Sequence, residues 1–481
     1  MDDINNKDEI VTENNLNNLN DELNNLNNLN EEDGELGIYE QQIFDQEFGL
    51  CTECNQPNTF EDWCKECYSK KFQQNFNNWT SGNMHIDKFI QEAQLNARNV
   101  YESLEWIPYN RLKNIVFLAQ GGFSKIYKAI WLDGLIDKWD YEKQEWEREF
   151  EDLNEQDYED AINPKIKNPL KNDEIHGQYV VLKSLNDSSK IDEDFLNEWK
   201  LHLQCQHEVR SNGSVLVPLN GITQDPDTLN YIIVMSKLPY GNLRNNLLIK
   251  KHNPNDKFHN LLLISAQLEG IHKLNLIHGD LHNGNILCFD HEVTVISDLG
   301  LCRPVNQPNR KNDVYGVLPY VAPEVLRGKS YTKASDIYSF GIIMWEMTSG
   351  VSAFYNIPHN LELSLEICKG KRPEILEGTI PEYVEIMKRC WDNDPKKRPT
   401  AEELKWFFLE RIENYPFEED EEERIPVPEN EPEIKYHPKS YYTSRKINYS
   451  TKINEILQSE NLHHIVEEEA IQEFSDNELV L

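Results

Sequence analysis

The strongest constraint on the fold of this chain is a short polar segment, residues 278–285, which reads His-Gly-Asp-Leu-His-Asn-Gly-Asn. Asp280 and Asn285 stand five positions apart in it, and its glycines and polar residues predict one tight loop. Asp298 follows the apolar run 293–296, which predicts a short strand that ends close to an acidic residue. Phosphoryl transfer requires a carboxylate that can accept a hydrogen bond from a hydroxyl, together with oxygen ligands for Mg²⁺. These three side chains have that chemistry.

The two motifs, in this order, resemble those of the eukaryotic protein kinase family, whose catalytic loop reads H-R-D-L-x-x-x-N and whose metal motif reads D-F-G. The second motif is Asp298-Leu299-Gly300 in this chain. The resemblance extends over residues 111–411 and implies an α+β fold with a small β-rich lobe and a large α-helical lobe. It also implies that Asp280 orients the acceptor hydroxyl, that Asn285 and Asp298 bind Mg²⁺, and that ATP is the phosphate donor.

Other positions of the family pattern occur in the expected order. Lys183 interrupts the apolar strand 180–185, and Glu198 lies on a segment with helical character. Without the downstream motifs, a solvated surface pair would be the better explanation of this Lys and Glu. With the motifs, Lys183 is expected to contact the phosphates and Glu198 to orient it. A hairpin that partly matches the family's glycine-rich pattern would contact the nucleotide through Ala119, Gly121, Gly122 and Ile126. A segment that resembles the family's hinge would contact it through Met235, Ser236 and Leu238.

The segment that follows the metal motif bears on regulation. It ends in Ala322-Pro323-Glu324, and the resemblance pairs Glu324 with Arg398 and gives Asp336 the role of anchoring the catalytic loop. Gly279 replaces the Arg that would bind a phosphorylated activation segment. Between residues 300 and 323 there is no Ser or Thr. We therefore expect no control by Ser/Thr phosphorylation of this segment.

The substrate class is read from weaker signals. The surroundings of Pro323 and Trp391 look like the tyrosine-kinase-like group, whose members mostly phosphorylate Ser or Thr. We expect a Ser/Thr protein kinase with a signalling role, and tyrosine or dual specificity stays an alternative. A pseudokinase that serves as a scaffold is the alternative from another functional class. The presence of every essential polar group favours catalysis.

Nine cysteines fall into two groups. Five are scattered through the kinase region and are most simply reduced core thiols. The other four form two C-x-x-C pairs that nine residues separate, the arrangement of a four-thiolate zinc site. Disulfides or idle thiols are the alternatives. The ligands of this structural Zn²⁺ would be Cys51, Cys54, Cys64 and Cys67.

The chain has 481 residues and a formal net charge of -36, which argues against nucleic acid and anionic membranes as partners. We expect protein substrates and signalling partners. The N-terminus shows no signal peptide and no apolar stretch is long enough to span a bilayer, so we expect no membrane insertion and a cytoplasmic location.

The expected organisation has five parts. An amphipathic pattern from Ile86 to Trp106 predicts a helix. In the acidic insert at 133–178, tryptophans near its start predict an enlarged hairpin, and the stretch from 149 to 174 is expected to be mobile. The parts are a disordered acidic Asn/Leu-rich segment at 1–48, a zinc module at 49–80, a helical linker at 84–110, a kinase domain at 111–411 with an insert at 133–178, and an acidic, mostly disordered tail at 412–481.

Overall fold

The computed structural model describes residues 48–120, 124–186, 188, 193–211, 213–290, 293–305, 314–412, 427–428 and 434–459. The chain divides after Lys237 into two compact units. The N-terminal unit is built on a β-sheet and the C-terminal unit is mainly helical, which confirms the expected α+β architecture. The segment predicted to be disordered at the N-terminus lies outside the described residues, except for Phe48.

The N-terminal unit is centred on a sheet whose strands are rich in Val, Ile and Leu, residues that pack well on a pleated surface. The main path of the sheet has the strand order β1-β8-β9-β7-β3-β2, in which β1 and β8 alone are parallel, and β6 pairs with β7. The strands are β1 (Glu105–Trp106), β2 (Leu112–Gln120), β3 (Ser124–Trp131), β4 (Leu135–Asp140), β5 (Glu145–Glu149), β6 (Glu151–Asp152), β7 (His176–Leu185), β8 (Leu219–Gln224) and β9 (Tyr231–Ser236), and the helices are α1 (Lys65–Asn75), α2 (Met84–Asn96), α3 (Glu155–Ala161) and α4 (Glu193–Ser211).

The expected helix from Ile86 to Trp106 is shorter than predicted. Helix α2 ends at Asn96, and the chain continues through a single turn into β1, which pairs with β8. Ala97 and Leu104, which continue the apolar spacing beyond the helix, are buried although the backbone there is no longer α-helical, so their spacing mimics a longer helix. Phe89 and Ile90 of α2 pack in one core with Trp199 of α4, so this segment is part of the N-terminal unit.

The acidic insert contains the predicted hairpin, formed by the antiparallel strands β4 and β5. The stretch expected to be mobile, 149–174, instead contains β6 and α3. Helix α3 begins with a capping box in which Asn154 and Asp157 satisfy each other's backbone N–H groups. The Tyr179 hydroxyl of β7 donates to the Asp157 carboxylate at 2.6 Å. These local polar contacts stabilise helix α3, which the pattern of apolar residues did not predict.

The C-terminal unit is organised around two helices that are buried on most sides, α6 and α8, as expected of helices in the centre of a domain. Two short antiparallel pairs, β10–β13 and β11–β12, support the polar loop at 278–285. Its helices are α5 (Leu243–His252), α6 (Pro254–Lys273), α7 (Pro323–Leu326), α8 (Lys333–Ser349), α9 (Leu361–Cys368), α10 (Pro381–Cys390) and α11 (Ala401–Ile412), and its strands are β10 (Leu276–Ile277), β11 (Ile286–Cys288), β12 (Thr294–Ile296), β13 (Arg303–Pro304) and β14 (Val314–Gly316).

Part of the tail, which was expected to be mostly disordered, is folded, and most of its other residues lie outside the described ranges. Residues 434–459 fold on the C-terminal unit, with strand β15 (Arg445–Ile447) antiparallel to β14 and a helix, α12, at 450–459. Tyr442, Ile447 and Ile453 are buried and provide the apolar contacts that hold this segment. Among the helices that the structure describes, none has both the length and the apolar character needed to cross a bilayer.

Candidate active site and cysteine cluster

The polar loop 278–285 connects β10 to β11, and the β11–β12 pair brings the chain back beside it. Ile286 pairs with Ile296, so the residues just outside these partners lie at the same end of the strand pair. The backbone N–H and the hydroxyl of Ser297 both donate to the carbonyl oxygen of Asn285, at 2.8 and 2.9 Å. Asp298 directly follows Ser297, so it lies close to the loop that contains Asn285.

Asp336 of α8 fixes the backbone at the start of this loop. Its carboxylate accepts hydrogen bonds from the N–H groups of His278 and Gly279, each at 2.9 Å, and from the imidazole of His272 at 3.0 Å. Burial raises the pKa of Asp336, but the hydrogen bond from His272 and the neighbouring charges outweigh it, and the pKa lies below its usual value. The anchoring role predicted for Asp336 is confirmed.

Asp280 and Asn285 face each other within the loop. The Asn285 side-chain amide donates to the backbone carbonyl of Asp280 at 3.0 Å and lies 3.5 Å from its carboxylate. Asp298 has left-handed backbone angles, and its carboxylate accepts from the N–H of Gly300 at 3.3 Å. The loop presents one amide and one carboxylate group, and the residue after Ser297 adds a second carboxylate, a set of groups that suits oxygen ligation of Mg²⁺.

His282 lies beside Asp280 and is neutral. Burial, with a contribution from the positive charge of Arg244, lowers the pKa of His282 to about 3. Its Nδ1 accepts from the N–H of Gly284 at 3.0 Å, which leaves the proton on Nε2. Nε2 lies 3.8 Å from the Asp280 carboxylate. The imidazole can therefore orient a neighbouring oxygen through a hydrogen bond but supplies no positive charge for a phosphate.

Gly279 occupies a position where a side chain is strained. Its φ is +77°, in the left-handed region, and a Cβ atom there would lie 3.2 Å from the carbonyl oxygen of Leu301. The backbone therefore favours glycine where the family pattern has arginine. No side chain at 279 is available to pair with a phosphorylated activation segment.

The end of the activation segment is held by buried polar contacts. Arg398 donates to both carboxylate oxygens of Glu324, at 2.7 and 2.8 Å, and the predicted pair is confirmed. The Tyr320 hydroxyl donates to Glu346 of α8 at 2.6 Å. Burial raises the pKa of Glu346 to about 8, so this carboxyl group is held largely in its neutral form near pH 7.

The N-terminal unit contains the predicted nucleotide-contact residues up to Ser236. Lys183 is buried on β7, opposite Ile126 of β3 and Ile233 of β9. Ala119 on β2 also pairs with Ile126, and Met235 pairs with Val181. The hydroxyl of Ser236 lies 3.2 Å from the side-chain oxygen of Asn220. Leu238 is the first residue of the C-terminal unit, whereas Gly121, Gly122 and the side chain of Glu198 lie outside the described residues.

The four cysteines predicted to bind zinc form a compact cluster. Their sulfur atoms all lie within 4.8 Å of one another, with Cys51 and Cys67 at 3.8 Å and Cys54 and Cys64 at 3.6 Å. A tetrahedral zinc site with Zn–S bonds of about 2.3 Å has sulfur–sulfur edges of roughly 3.8 Å. A disulfide would instead need a distance of about 2.05 Å, so these thiols are not paired as disulfides.

An aromatic shell surrounds this cluster. Trp63, Tyr68 and Phe72 are buried against the cysteines. Trp146 of the β4–β5 hairpin stacks on Phe72 with ring centroids 4.5 Å apart. The hairpin of the insert is therefore part of the same core as the cysteine segment, a contact that sequence reasoning missed.

The structure also brings tail residues to the catalytic loop that the sequence pattern did not indicate. The Ser444 hydroxyl donates to the Asp280 carboxylate, and Arg244 donates to the carbonyl oxygen of Tyr442 at 2.7 Å. One sequence signal was available. Residues 435–454 contain five Lys or Arg and no Asp or Glu, in a chain with a net charge of -36.

Comparisons with known proteins agree with this geometry. The family model for protein tyrosine and serine/threonine kinases matches residues 160–408. A Dictyostelium discoideum protein named as a probable serine/threonine-protein kinase is 32% identical over 47% of this chain and 17% of its own length. A serine/threonine-protein kinase of Arabidopsis thaliana is 28% identical over 47% of this chain and 39% of its own length. The alignments therefore span well under half of these relatives.

Proposed function

We propose, since this chain belongs to the protein tyrosine and serine/threonine kinase family, that it transfers the γ-phosphate of ATP to serine and threonine hydroxyls of proteins. The observation that carries the proposal is the catalytic loop, in which Asp280 stands beside Asn285 on a backbone anchored by Asp336. A serine hydroxyl donates to the Asp280 carboxylate in this structure, which supports a small aliphatic hydroxyl as the acceptor.

The proposed mechanism depends on positioning and electrostatics. Asp280 accepts the hydrogen bond of the acceptor hydroxyl, orients its oxygen towards the γ-phosphorus and takes its proton as the new bond forms. Asn285 and Asp298 would hold Mg²⁺, which supplies positive charge against the transferred phosphate. Lys183, directed by Glu198, would bind the phosphates. His282 helps to direct the acceptor oxygen.

ATP would be recognised mainly by backbone groups. We propose that Met235 borders the adenine, with the carbonyl of Ser236 and the amide near Leu238 at its polar edge. Ser236 replaces the more usual Glu, and this costs little because the contact is made by the backbone. The hairpin with Ala119, Gly121, Gly122 and Ile126 would cover the phosphates.

The surroundings of Pro323 and Trp391 support membership of the tyrosine-kinase-like group, and the names of the relatives support serine and threonine as acceptors. Tyrosine or dual specificity is the alternative. Gly279 and the absence of Ser and Thr between residues 300 and 323 support activity that does not depend on phosphorylation of the activation segment. Protein substrates and a signalling role in the cytoplasm complete the proposal.

We further propose that Cys51, Cys54, Cys64 and Cys67 hold one structural Zn²⁺. The donor set fits, because four thiolates at tetrahedral spacing are the ligands that zinc prefers. The metal would stabilise the segment 49–80 together with its buried aromatic residues. This module would serve docking of partner proteins, beside the linker at 84–110 and the kinase domain at 111–411.

Two substitutions test the catalytic assignment. Asp280→Asn removes the proton acceptor but keeps the size of the side chain, so transfer to a generic acceptor protein falls by about 10²- to 10⁴-fold. The same variant keeps the thermal stabilisation that ATP and Mg²⁺ produce. Asp298→Ala loses both, because it removes a metal ligand. Full transfer activity in Asp280→Asn would contradict the proposed function, and unchanged nucleotide stabilisation in Asp298→Ala would contradict the metal assignment.

A further inference from the structure

The Ser444 hydroxyl occupies the position at Asp280 that the proposed function requires of an acceptor. Its Oγ–H donates to the Asp280 carboxylate. Its oxygen lies 3.2 Å from Nε2 of His282, which carries the imidazole proton because Nδ1 accepts from Gly284. One partner accepts the hydroxyl proton and the other donates to the oxygen. The hydroxyl is therefore oriented by two groups, as a reacting nucleophile must be.

The backbone that follows Ser444 is held in register by the activation segment. Strand β15 pairs antiparallel with β14, with Arg445 opposite Gly316 and Ile447 opposite Val314. A one-residue slip of this pairing would turn the buried side chain of Ile447 towards solvent. The strand pair therefore selects Ser444, and not a neighbouring residue, for the position beside Asp280. An extended peptide that adds a strand to an exposed edge is a common mode of peptide recognition.

The residues before Ser444 are anchored as well. The Tyr442 hydroxyl donates to the carbonyl oxygen of Ala353 at 2.8 Å, and Arg244 donates to the Tyr442 carbonyl at 2.7 Å. Arg244 also hydrogen-bonds Asn283 of the catalytic loop at 2.9 Å. The same arginine thus contacts both the loop that carries Asp280 and the segment that carries Ser444. Contacts on both sides of the serine give this segment the properties of a bound peptide.

Other hydroxyls of the segment are placed differently. The Ser440 hydroxyl donates to the carbonyl of His437 at 2.7 Å, and Thr443 is exposed. The segment is also chemically distinct, with five Lys or Arg and no Asp or Glu between residues 435 and 454. These differences make the selection of Ser444 specific, and they provide control positions within a few residues of it.

We infer that Ser444 is an intramolecular phosphoacceptor, and that residues 434–459 occupy the protein-substrate position until Ser444 is phosphorylated. This inference rests on the proposed kinase activity. The Ser444 oxygen attacks the γ-phosphorus of ATP and forms a new P–O bond, while the bond from that phosphorus to the bridging oxygen breaks. ADP leaves with the electron pair, and the hydroxyl proton passes to Asp280 and then to solvent.

Phosphorylation would also release the segment. Phosphoserine carries close to two negative charges at neutral pH and would lie beside the Asp280 carboxylate. Repulsion between these charges disfavours the docked position. Before phosphorylation, the tethered segment competes with protein substrates. After phosphorylation, the substrate position is open.

The first experiment uses the full chain, treated with phosphatase and then incubated with ATP and Mg²⁺. Mass spectrometry is expected to find phosphate on Ser444, at a first-order rate that does not change with protein concentration because the acceptor is tethered. Thr443→Ala serves as the matched control and keeps this modification, whereas Ser444→Ala loses it. A rate that rises in proportion to protein concentration would overturn the intramolecular assignment.

The second experiment separates this inference from the proposed function by adding dephosphorylated casein as an external acceptor. In a Ser444→Ala background the segment cannot be phosphorylated during the assay, and Tyr442→Ala weakens its docking. The KM for casein therefore falls roughly tenfold relative to Ser444→Ala alone while kcat is unchanged, since a tether supplies an effective concentration near the millimolar range. The phosphorylated parent shows the same low KM. Transfer to casein without phosphate on Ser444 overturns the inference and leaves the kinase activity intact. No transfer to either acceptor overturns both.

Discussion

Replacing Arg398 with methionine tests the buried ion pair that holds the end of the activation segment. The guanidinium donates to Glu324 at 2.7 and 2.8 Å and to the carbonyl oxygens of Asp392 and Ala334 at 2.9 and 2.8 Å. Methionine fills a similar volume without these donors. The Glu324 side chain, only 8% exposed, is then left charged without its partner. Breaking a buried pair in this way costs about 3–5 kcal/mol of stability.

A double variant separates the ion pair from general packing. Arg398→Met combined with Glu324→Leu removes both charges, and apolar replacement of a buried pair is often close to neutral. We therefore expect the double variant to be more stable than Arg398→Met by at least about 2 kcal/mol. The recovery would measure the cost of the uncompensated carboxylate.

Hydrogen exchange of the full chain provides the assay. Amides of α8 lie in the core of the C-terminal unit, so their exchange reports the free energy of its opening. Arg398→Met should lower that free energy by the stated amount. A loss smaller than about 1 kcal/mol, or a double variant that is as unstable as the single one, would refute the assignment of this pair as a structural anchor.

Three further predictions concern pH, metal and regulation. The pKa of Glu346 is raised from an ordinary value of 4.5 to about 8, so its contribution to stability is complete below pH 4.5 and is lost as the pH rises to 8. Between pH 5 and pH 8 the parent should therefore lose more stability than Glu346→Gln. Parallel profiles of stability against pH for the two proteins would contradict this. Elemental analysis should find about one zinc per chain, and Cys64→Ser with Cys67→Ser should lose it; zinc that persists would exclude this ligand set. In a Ser444→Ala background, phosphatase treatment should change kcat by less than about twofold, since Gly279 supplies no cationic side chain where the family pattern has arginine; a large loss would show another controlling phosphosite.

Local patterns predicted the parts of this molecule that depend on local chemistry. The segment that contains Asp280 and Asn285 indicated a tight polar loop, and the apolar run before Asp298 indicated one short strand. The structure has the loop between β10 and β11 and the strand at β12. The Glu324–Arg398 pair and the Asp336 anchor also followed from motif positions. These positions are predictable because a buried polar group needs a hydrogen-bond partner, which restricts where it can lie.

Contacts between distant segments were not predictable from these patterns. The helix expected to reach Trp106 stops at Asn96, and the chain beyond it forms a turn and then β1, which pairs with β8. The tail was expected to be mostly disordered because runs of like charge favour solvated, extended chain, and its folded part, 434–459, includes a short basic segment. Packing of Tyr442 and Ile453 depends on partners elsewhere in the chain, and a periodicity search does not detect it.

The most direct test of the central claim is phosphate transfer from radiolabelled ATP to dephosphorylated casein, followed by phosphoamino acid analysis. The parent chain is expected to produce phosphoserine and phosphothreonine in the presence of Mg²⁺, and Asp280→Asn is expected to lower this signal by about 10²-fold or more. Phosphotyrosine as the sole product would contradict the assigned specificity. A parent signal no higher than that of Asp280→Asn would contradict the assignment of this chain as an active kinase.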